Sequence, residues 1–157
     1  TAVVWAGRSG AASAAEIGTM QVSEEIDALR SMGFEPGHFL VLPKMLAAGI
    51  AMPCLLIFGN IVALIGSIIM CLLTTDVTLP AYVREVYKAV SFSMFTEGLV
   101  KAFFFAVLIA GISCMRGMQV KGGAESVGRY TTAAVVSGIF ITILTDALFT
   151  ILFHPPF

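Results

Sequence analysis

The residues of this sequence that could bind a metal or react are few and lie far apart. Cys54, Cys71 and Cys114 each sit in an apolar run, and no two of them form a C-x-x-C pair. Such cysteines are typical of small buried hydrophobic side chains rather than of disulfide or metal partners. His38 and His154 have no cysteine or acidic cluster beside them. The sequence therefore predicts no metal site.

The sequence also lacks the patterns that support catalysis or nucleotide binding. It contains no G-x-x-x-x-G-K-[ST] phosphate loop, so we expect ATP not to bind to this chain. Its reactive residue types are not arranged as a Ser/His/Asp, Cys/His or paired-carboxylate set. We therefore predict no catalytic residues and no cofactor bound by this chain.

One acid, Asp146, lies well inside an apolar stretch. A carboxylate at membrane depth is costly, so such residues usually face protein or a water-filled cavity. A small, polar stripe recurs every four residues along the same helix, at Gly138, Thr142, Asp146 and Thr150. Two interpretations stay open. Asp146 either fixes packing by bonding Thr142 or a neighbouring helix, or it lines a path or a dimer interface.

The composition indicates what kind of elements must position these residues. Of the 157 residues, 58% are hydrophobic and 12% are charged, and the net charge is -1. Soluble domains are roughly 45–50% apolar and about 25% charged. This charge is too low to cover a water-facing surface, and its balance argues against nucleic acid as a partner. We therefore predict an all-α integral membrane protein, with a single domain over residues 1–157.

Two apolar stretches in the first two thirds of the chain are long enough to cross a bilayer as helices. Met45–Leu73 contains no charge and no histidine, and Pro53 within it predicts a kink or an irregular first part. Met94–Met115 carries Glu97 and Lys101 near its start, at a spacing that favours an ion pair along the helix. Both stretches are predicted to be complete spans.

A third span is predicted over Tyr130–Phe153, and it carries the stripe with Asp146. Thr1–Ala15 is predicted to be the end of an earlier span. Alanine, glycine and serine are dense over residues 6–15, which indicates either a close approach of helix backbones, in this chain or in a second copy, or a generic alanine-rich helix. Because the first residue is not a methionine, we expect the sequence to enter a longer protein partway along.

Three polar stretches separate these spans, and their basic residues predict an orientation. Glu16–Lys44 and Arg116–Arg129 would share one side of the membrane, and together they hold five Lys and Arg residues. Thr74–Ser93 would lie on the other side and holds two. Cytoplasmic loops carry the excess of Lys and Arg. The first two stretches are therefore predicted to be cytoplasmic.

The stretch Glu16–Lys44 has the sequence of a structured loop. Ser23 suits a helix N-cap and Gly33 suits the position after a helix end, which predicts a short helix over Glu24–Met32. Its apolar side holds Ile26, Leu29 and Met32, and its acids are Glu24, Glu25 and Asp27. A two-turn helix needs a surface to dock on. That surface is either its own membrane domain or a partner protein.

Two long motifs in this sequence are similar to those of a known family. Residues 7–29 read GRSGAASAAEIGTMQVSEEIDAL, and Met32-Gly33 and Leu42-Pro43-Lys44 follow. Residues 122–136 read GGAESVGRYTTAAVV. Together they resemble the MlaE/YrbE family of ABC-transporter permeases, with Lys44 where arginine is usual, Ser126 for glycine and Tyr130 for alanine. Asp146 also matches an aspartate of the family's last helix.

The resemblance implies a multi-pass permease that forms a homodimer in a cell inner membrane. Such permeases work with a cytoplasmic ATPase, which binds the ATP, and with MCE-domain lipid-binding proteins on the outer side. The implied substrate is a phospholipid or another lipid. The family's N-terminal interfacial helix and first membrane helix would be missing from this sequence. Residues 16–44 would form the cytoplasmic coupling loop.

Carried onto this sequence, the coupling helix and its ATPase contact comprise Glu16, Gly18, Met20, Glu24, Glu25, Ile26, Asp27, Leu29 and Met32. If Asp146 lines a path or a dimer interface, a lipid headgroup would pass there. The resemblance implies that the position of Asp146 matters, but it implies neither of the two roles. Two alternatives from other classes stay open, a membrane-embedded lipid-modifying enzyme and a structural membrane anchor.

The orientation leads to a first testable prediction. A single cysteine at Pro80, in a full-length protein whose native cysteines are replaced, should react with an impermeant thiol reagent only from outside. The basic residues hold the other two stretches in the cytoplasm. Labelling of this position only from the cytoplasmic side would contradict the orientation.

Overall fold

The computed structural model describes residues 1–74, 79–89 and 92–153, and these form helices joined by short turns. The α-helices are α1 (Ala2–Trp5), α2 (Ala11–Val22), α3 (Glu25–Ser31), α4 (Leu42–Thr74), α5 (Leu79–Ala89), α6 (Phe92–Met118) and α7 (Ala124–Phe153). Two π-helical turns, Ala6–Gly10 and Gly37–Val41, lead into α2 and α4. The predicted all-α class is confirmed for the described residues.

Three of these segments are long and apolar enough to cross a membrane, as predicted. They cover Gly37–Thr74, Ser93–Met118 and Ala124–Leu152. Each is longer than its predicted span, because the helices continue past Lys44, Arg116 and Arg129, the charged residues at which the predicted spans were limited. The bundle exposes many large apolar side chains along α4 and α7. Such a surface is suited to lipid or to protein partners rather than to water.

The interior of the bundle lies between α6 and its neighbours. One buried cluster joins α6, through Phe105, Ala106 and Ile109, to Ala6 and Met52 on the preceding elements. A second, smaller cluster joins α2, α3 and α6 through Ile17, Ile26 and Cys114. The first cluster holds the spans together, and the second fixes the short helix α3 to them.

Small residues allow α2 and α6 to pack backbone against backbone. A Cβ atom added at Gly117 would lie 2.9 Å from the carbonyl oxygen of Ala14 and 2.9 Å from Cβ of Ile17. A Cβ atom at Gly10 would lie 2.9 Å from Oγ of Ser113. The close approach predicted from the small residues of this segment is therefore confirmed, and it occurs within this chain.

Several local predictions differ from the structure. The sequence predicted either a kink at Pro53 or an irregular first part of this helix. The helix begins at Leu42 and continues through the proline, so the irregular first part is wrong, and an irregular turn lies earlier, at Gly37–Val41. Neighbouring protein and local adjustments allow a proline inside a membrane helix. Of the cysteines predicted to be buried, Cys114 is buried but Cys54 is exposed on α4. Its thiol lies on the outer surface of the bundle because α4 packs mainly through Ala48, Gly49 and Met52.

The helix α5 was not predicted by the sequence pattern, which indicated only a polar stretch there. It lies after α4, at the end opposite to α3. The prediction for His154 lies outside the described residues, as do residues 155–157.

The glycine crossing leads to a second prediction. Gly117→Ala should lower the thermal stability of the full-length protein in detergent by about 1–3 kcal/mol, because the new methyl group has no space beside the α2 backbone. Gly111→Ala on the same helix is the matched control, since its Cβ would meet only the flexible end of Met45 at 3.5 Å. Equal melting temperatures for the two variants would contradict the proposed role of the crossing.

Candidate functional site

Two groups of residues in the structure are candidates for function, a loop between α2 and α4 and a polar group within the spans. The loop begins where α2 ends at Val22, and a tight turn follows. Glu24 adopts a left-handed conformation, with φ 60°, and precedes α3 as its N-terminal flanking residue. Ser23 was predicted to be this cap, but it terminates α2 instead. This turn changes the direction of the chain between α2 and α3.

The end of α3 has the hydrogen bonds of a Schellman motif. The N–H of Phe34 donates to the carbonyl of Leu29 at 3.1 Å, and the N–H of Gly33 donates to that of Arg30 at 3.0 Å. Gly33 has a φ of 82°, which a residue without a Cβ adopts at little cost. The position predicted for Gly33, directly after the helix end, is therefore confirmed.

The apolar residues predicted on one side of α3 do not share one exposed face. Ile26 is 1% exposed and packs into the cluster with Ile17 and Cys114, so it faces the chain's own bundle. Leu29 is half-buried, and Met32 is 65% exposed. Of the two docking surfaces left open by the sequence, α3 therefore uses its own membrane domain for Ile26 and leaves Met32 free of it.

The outer surface of the loop is both apolar and acidic. Phe34 and Phe39 are exposed, and their ring centroids lie 5.8 Å apart. Together with Met32 they form an exposed apolar patch, which we call the loop patch. The predicted acids Glu24, Glu25 and Asp27, which lie a few residues earlier in the sequence, are also exposed. The sequence analysis did not identify either phenylalanine, because both lie after the end of α3, where no helical repeat of apolar residues marks an exposed face.

An ion pair closes the base of this loop. Lys44 Nζ lies 2.7 Å from Oε2 of Glu16, and the lysine side chain is 22% exposed. Glu16 lies on α2 and Lys44 on α4, so the pair joins the two helices that lead into and out of the loop. The remaining predicted residues also lie at this base, where Gly18 packs against Val120 and Met20 packs against the small buried cluster.

The second group lies between α6 and α7. Lys101 Nζ donates to Oδ1 of Asp146 at 3.0 Å, with side chains 26% and 56% exposed. The predicted partner of Lys101 was Glu97 on its own helix, and the structure places Asp146 there instead. A lysine and an aspartate inside two membrane spans each need a counter-charge. The presence of Lys101 and Asp146 in two predicted spans could therefore have indicated that they form an ion pair.

The two threonines of the predicted stripe bond to their own helix. Thr142 Oγ1 donates to the carbonyl of Gly138 at 2.7 Å, and Thr150 Oγ1 donates to that of Asp146 at 2.8 Å. Each hydroxyl therefore donates its proton to a backbone carbonyl and not to the carboxylate of Asp146. That carboxylate accepts a hydrogen bond from Lys101 instead. Thr142 is buried, whereas Asp146 and Thr150 are exposed along α7. The stripe thus runs from the interior of the bundle to its surface.

A cavity of about 430 Å³ adjoins the ion pair. Its walls include Lys101 and Asp146 and otherwise consist mainly of apolar side chains, among them Met52, Leu56, Ala102, Phe105 and Ile143. An apolar space with one pair of charges can accommodate a molecule that has an apolar body and a polar group.

Comparison with known proteins identifies the family to which this chain belongs. The sequence model of the permease family MlaE matches residues 1–152. The chain belongs to the MlaE permease family, as the motifs indicated.

Relatives from distant organisms cover most of the chain. It is 38% identical over 151 residues to a probable ABC transporter permease protein of Rickettsia prowazekii (strain Madrid E), covering 96% of this chain and 58% of the relative. It is 36% identical over 146 residues to one of Pyropia yezoensis, covering 93% and 56%. It is 36% identical over 144 residues to the chloroplastic protein TRIGALACTOSYLDIACYLGLYCEROL 1 of Arabidopsis thaliana, covering 90% and 41%. The chain thus spans less than two thirds of the length of these relatives.

The ion pair leads to a third prediction, measured as thermal stability of the full-length protein in detergent. Lys101→Met or Asp146→Leu alone should each cost about 1–3 kcal/mol, because each leaves one charge in the bundle without its partner. The double variant Lys101→Met/Asp146→Leu should cost less than the sum of the two. Strictly additive losses would show that the two side chains act independently.

Proposed function

We propose that the protein containing this chain is the membrane permease subunit of an ATP-driven lipid transporter in a cell inner membrane. Membership of the MlaE permease family is the observation that carries the proposal. Relatives are named as probable ABC transporter permeases, and the Arabidopsis relative is named for trigalactosyldiacylglycerol, a lipid. The described residues supply a bundle with three candidate spans, as a permease requires.

The partner that hydrolyses ATP is proposed to bind at the loop between α2 and α4. The sequence has no phosphate loop, so the nucleotide would be bound by a separate ATPase subunit. The loop patch offers Met32, Phe34 and Phe39 as apolar anchors, and the acids around α3 would set the register of the contact. The ion pair of Glu16 with Lys44 would carry a displacement of the loop into α2 and α4 together.

The lipid is proposed to pass beside the cavity that adjoins Lys101 and Asp146. Its apolar walls suit acyl chains, and the two charges suit a polar headgroup. A second copy of the chain would cover part of the exposed apolar surface of the bundle, and MCE-domain lipid-binding proteins would receive or supply lipid on the outer side. The alternatives, a lipid-modifying enzyme and a structural anchor, have no specific observation in their favour.

A fourth prediction tests the docking of the ATPase. Met32→Asp with Phe39→Asp, in the full-length permease reconstituted with its ATPase, should reduce lipid-stimulated ATP hydrolysis and lipid movement by at least tenfold. Two charges on the loop patch would remove its apolar anchors, at a cost of about 1.4 kcal/mol or more. Size-exclusion chromatography should show an intact permease without bound ATPase.

Two further variants separate docking from folding. Met32→Leu with Phe39→Leu keeps the patch apolar and should retain hydrolysis. Ile26→Asp places a charge in the buried cluster and should reduce the amount of folded permease instead. A Met32→Asp/Phe39→Asp permease that still binds its ATPase and moves lipid normally would refute the proposed contact. An ATPase whose hydrolysis does not respond to any lipid would refute the proposed function itself.

A further inference from the structure

The helix α5 carries three rows of side chains whose order around the helix is informative. Residues four apart share a row, and successive residues are about 100° apart. Tyr82 and Val86 form the first row, and both are half-buried. Val83 and Tyr87 form the second row, next to the first, and are 55% and 88% exposed.

The third row is basic. It consists of Arg84 and Lys88, both exposed, and it follows directly after the row of Val83 and Tyr87. Glu85 comes next around the helix and forms an ion pair with Lys88 at 3.1 Å. Around α5 the order is therefore a row against the bundle, an exposed apolar row, a basic row and an acid.

One hydrogen bond sets the height of α5 along α4. The hydroxyl of Ser67 donates to the carbonyl of Leu64 at 2.8 Å, so the Tyr82 hydroxyl acts as donor in the hydrogen bond between Tyr82 and Ser67. Ser67 lies seven residues before the end of α4 at Thr74. The hydroxyl of Tyr82 therefore lies about two turns before the end of α4 and ties α5 to this part of α4.

Measured from Lys44, Ser67 lies near the expected far boundary of the hydrocarbon core, and the apolar residues 68–73 continue α4 past it. The last charge before the apolar part of α4 is Lys44, and Ser67 follows it by 23 residues. At about 1.5 Å per residue this distance is roughly 34 Å, close to the ~30 Å thickness of the hydrocarbon. A residue held at the level of Ser67 is thus held at the interface between hydrocarbon and headgroups.

From these observations we propose that α5 lies in the plane of the membrane interface, on phospholipid of the leaflet opposite to the α3 loop. Val83 and Tyr87 face the acyl chains, since an exposed valine and tyrosine at this depth would otherwise contact water. Arg84 and Lys88 reach the phosphates beside them, and Glu85 faces the aqueous side. The apolar row, the basic row and Glu85 thus follow the order of acyl chains, phosphates and water across a leaflet.

The inference concerns a surface that the proposed transport function does not assign, and spin labelling tests it separately. Nitroxides are attached at Val83→Cys or, as the matched control, at Glu85→Cys, in a full-length protein whose native cysteines are replaced. The protein is reconstituted in vesicles of phosphatidylcholine and phosphatidylglycerol. The accessibility ratio of molecular oxygen to nickel-EDDA, measured by power saturation, should be several-fold higher at position 83 than at position 85.

The variant Tyr82→Phe tests what sets the depth. It removes only the hydroxyl that bonds Ser67, and it should lower the oxygen-to-nickel ratio at position 83 while leaving position 85 unchanged. Equal, high nickel accessibility at positions 83 and 85 would show that α5 stands in water and would overturn the proposal. Protection of position 83 from both reagents would overturn it as well, because a protein would then cover this row.

Discussion

The close approach of α2 to α6 is the constraint on which the rest of the structure depends. Gly117 has no side chain where the backbone of α2 passes, and Gly10 leaves room for Ser113. Within a bilayer there is little hydrophobic drive between helices, so such packing supplies much of the association. The position of α2 then determines where the chain leaves the bundle after Val22. The placement of α3 and of the whole loop follows from that exit point.

The loop is held at two points, and these divide its residues by role. The ion pair between Glu16 and Lys44 closes its base, and Ile26 fixes α3 to the bundle. The turn at Gly33 then directs the chain outward, so that Met32 and the two phenylalanines stay exposed. A loop held in this way is tied directly to α2 and α4. Under the proposed function, a force applied to its exposed patch would reach the spans without being absorbed by loose chain.

Much of the fold follows from composition and turn chemistry, and the limits of prediction have physical causes. Membrane spans are predicted well because lipid requires long apolar helices, and the end of α3 is predicted because Gly33 suits a left-handed position. The direction of Ile26 was not predictable, since a helical period shows which residues share a face but not what that face contacts. The pairing of Lys101 with Asp146 depends on how α6 and α7 are aligned, and one sequence does not contain that alignment.

The π-helical turn over Ala6–Gly10 affects the geometry of the contact between residues 6–18 and α6. The buried residues Ala6, Gly10, Ala14 and Gly18 recur every four positions. In a regular α-helix, with 100° per residue, each such step rotates the contact line by about 40°, or about 120° over the three steps. A π-helical turn is wider and rotates less per residue, so it offsets part of this drift. Less supercoiling is therefore needed to keep this segment against α6 along a four-residue repeat.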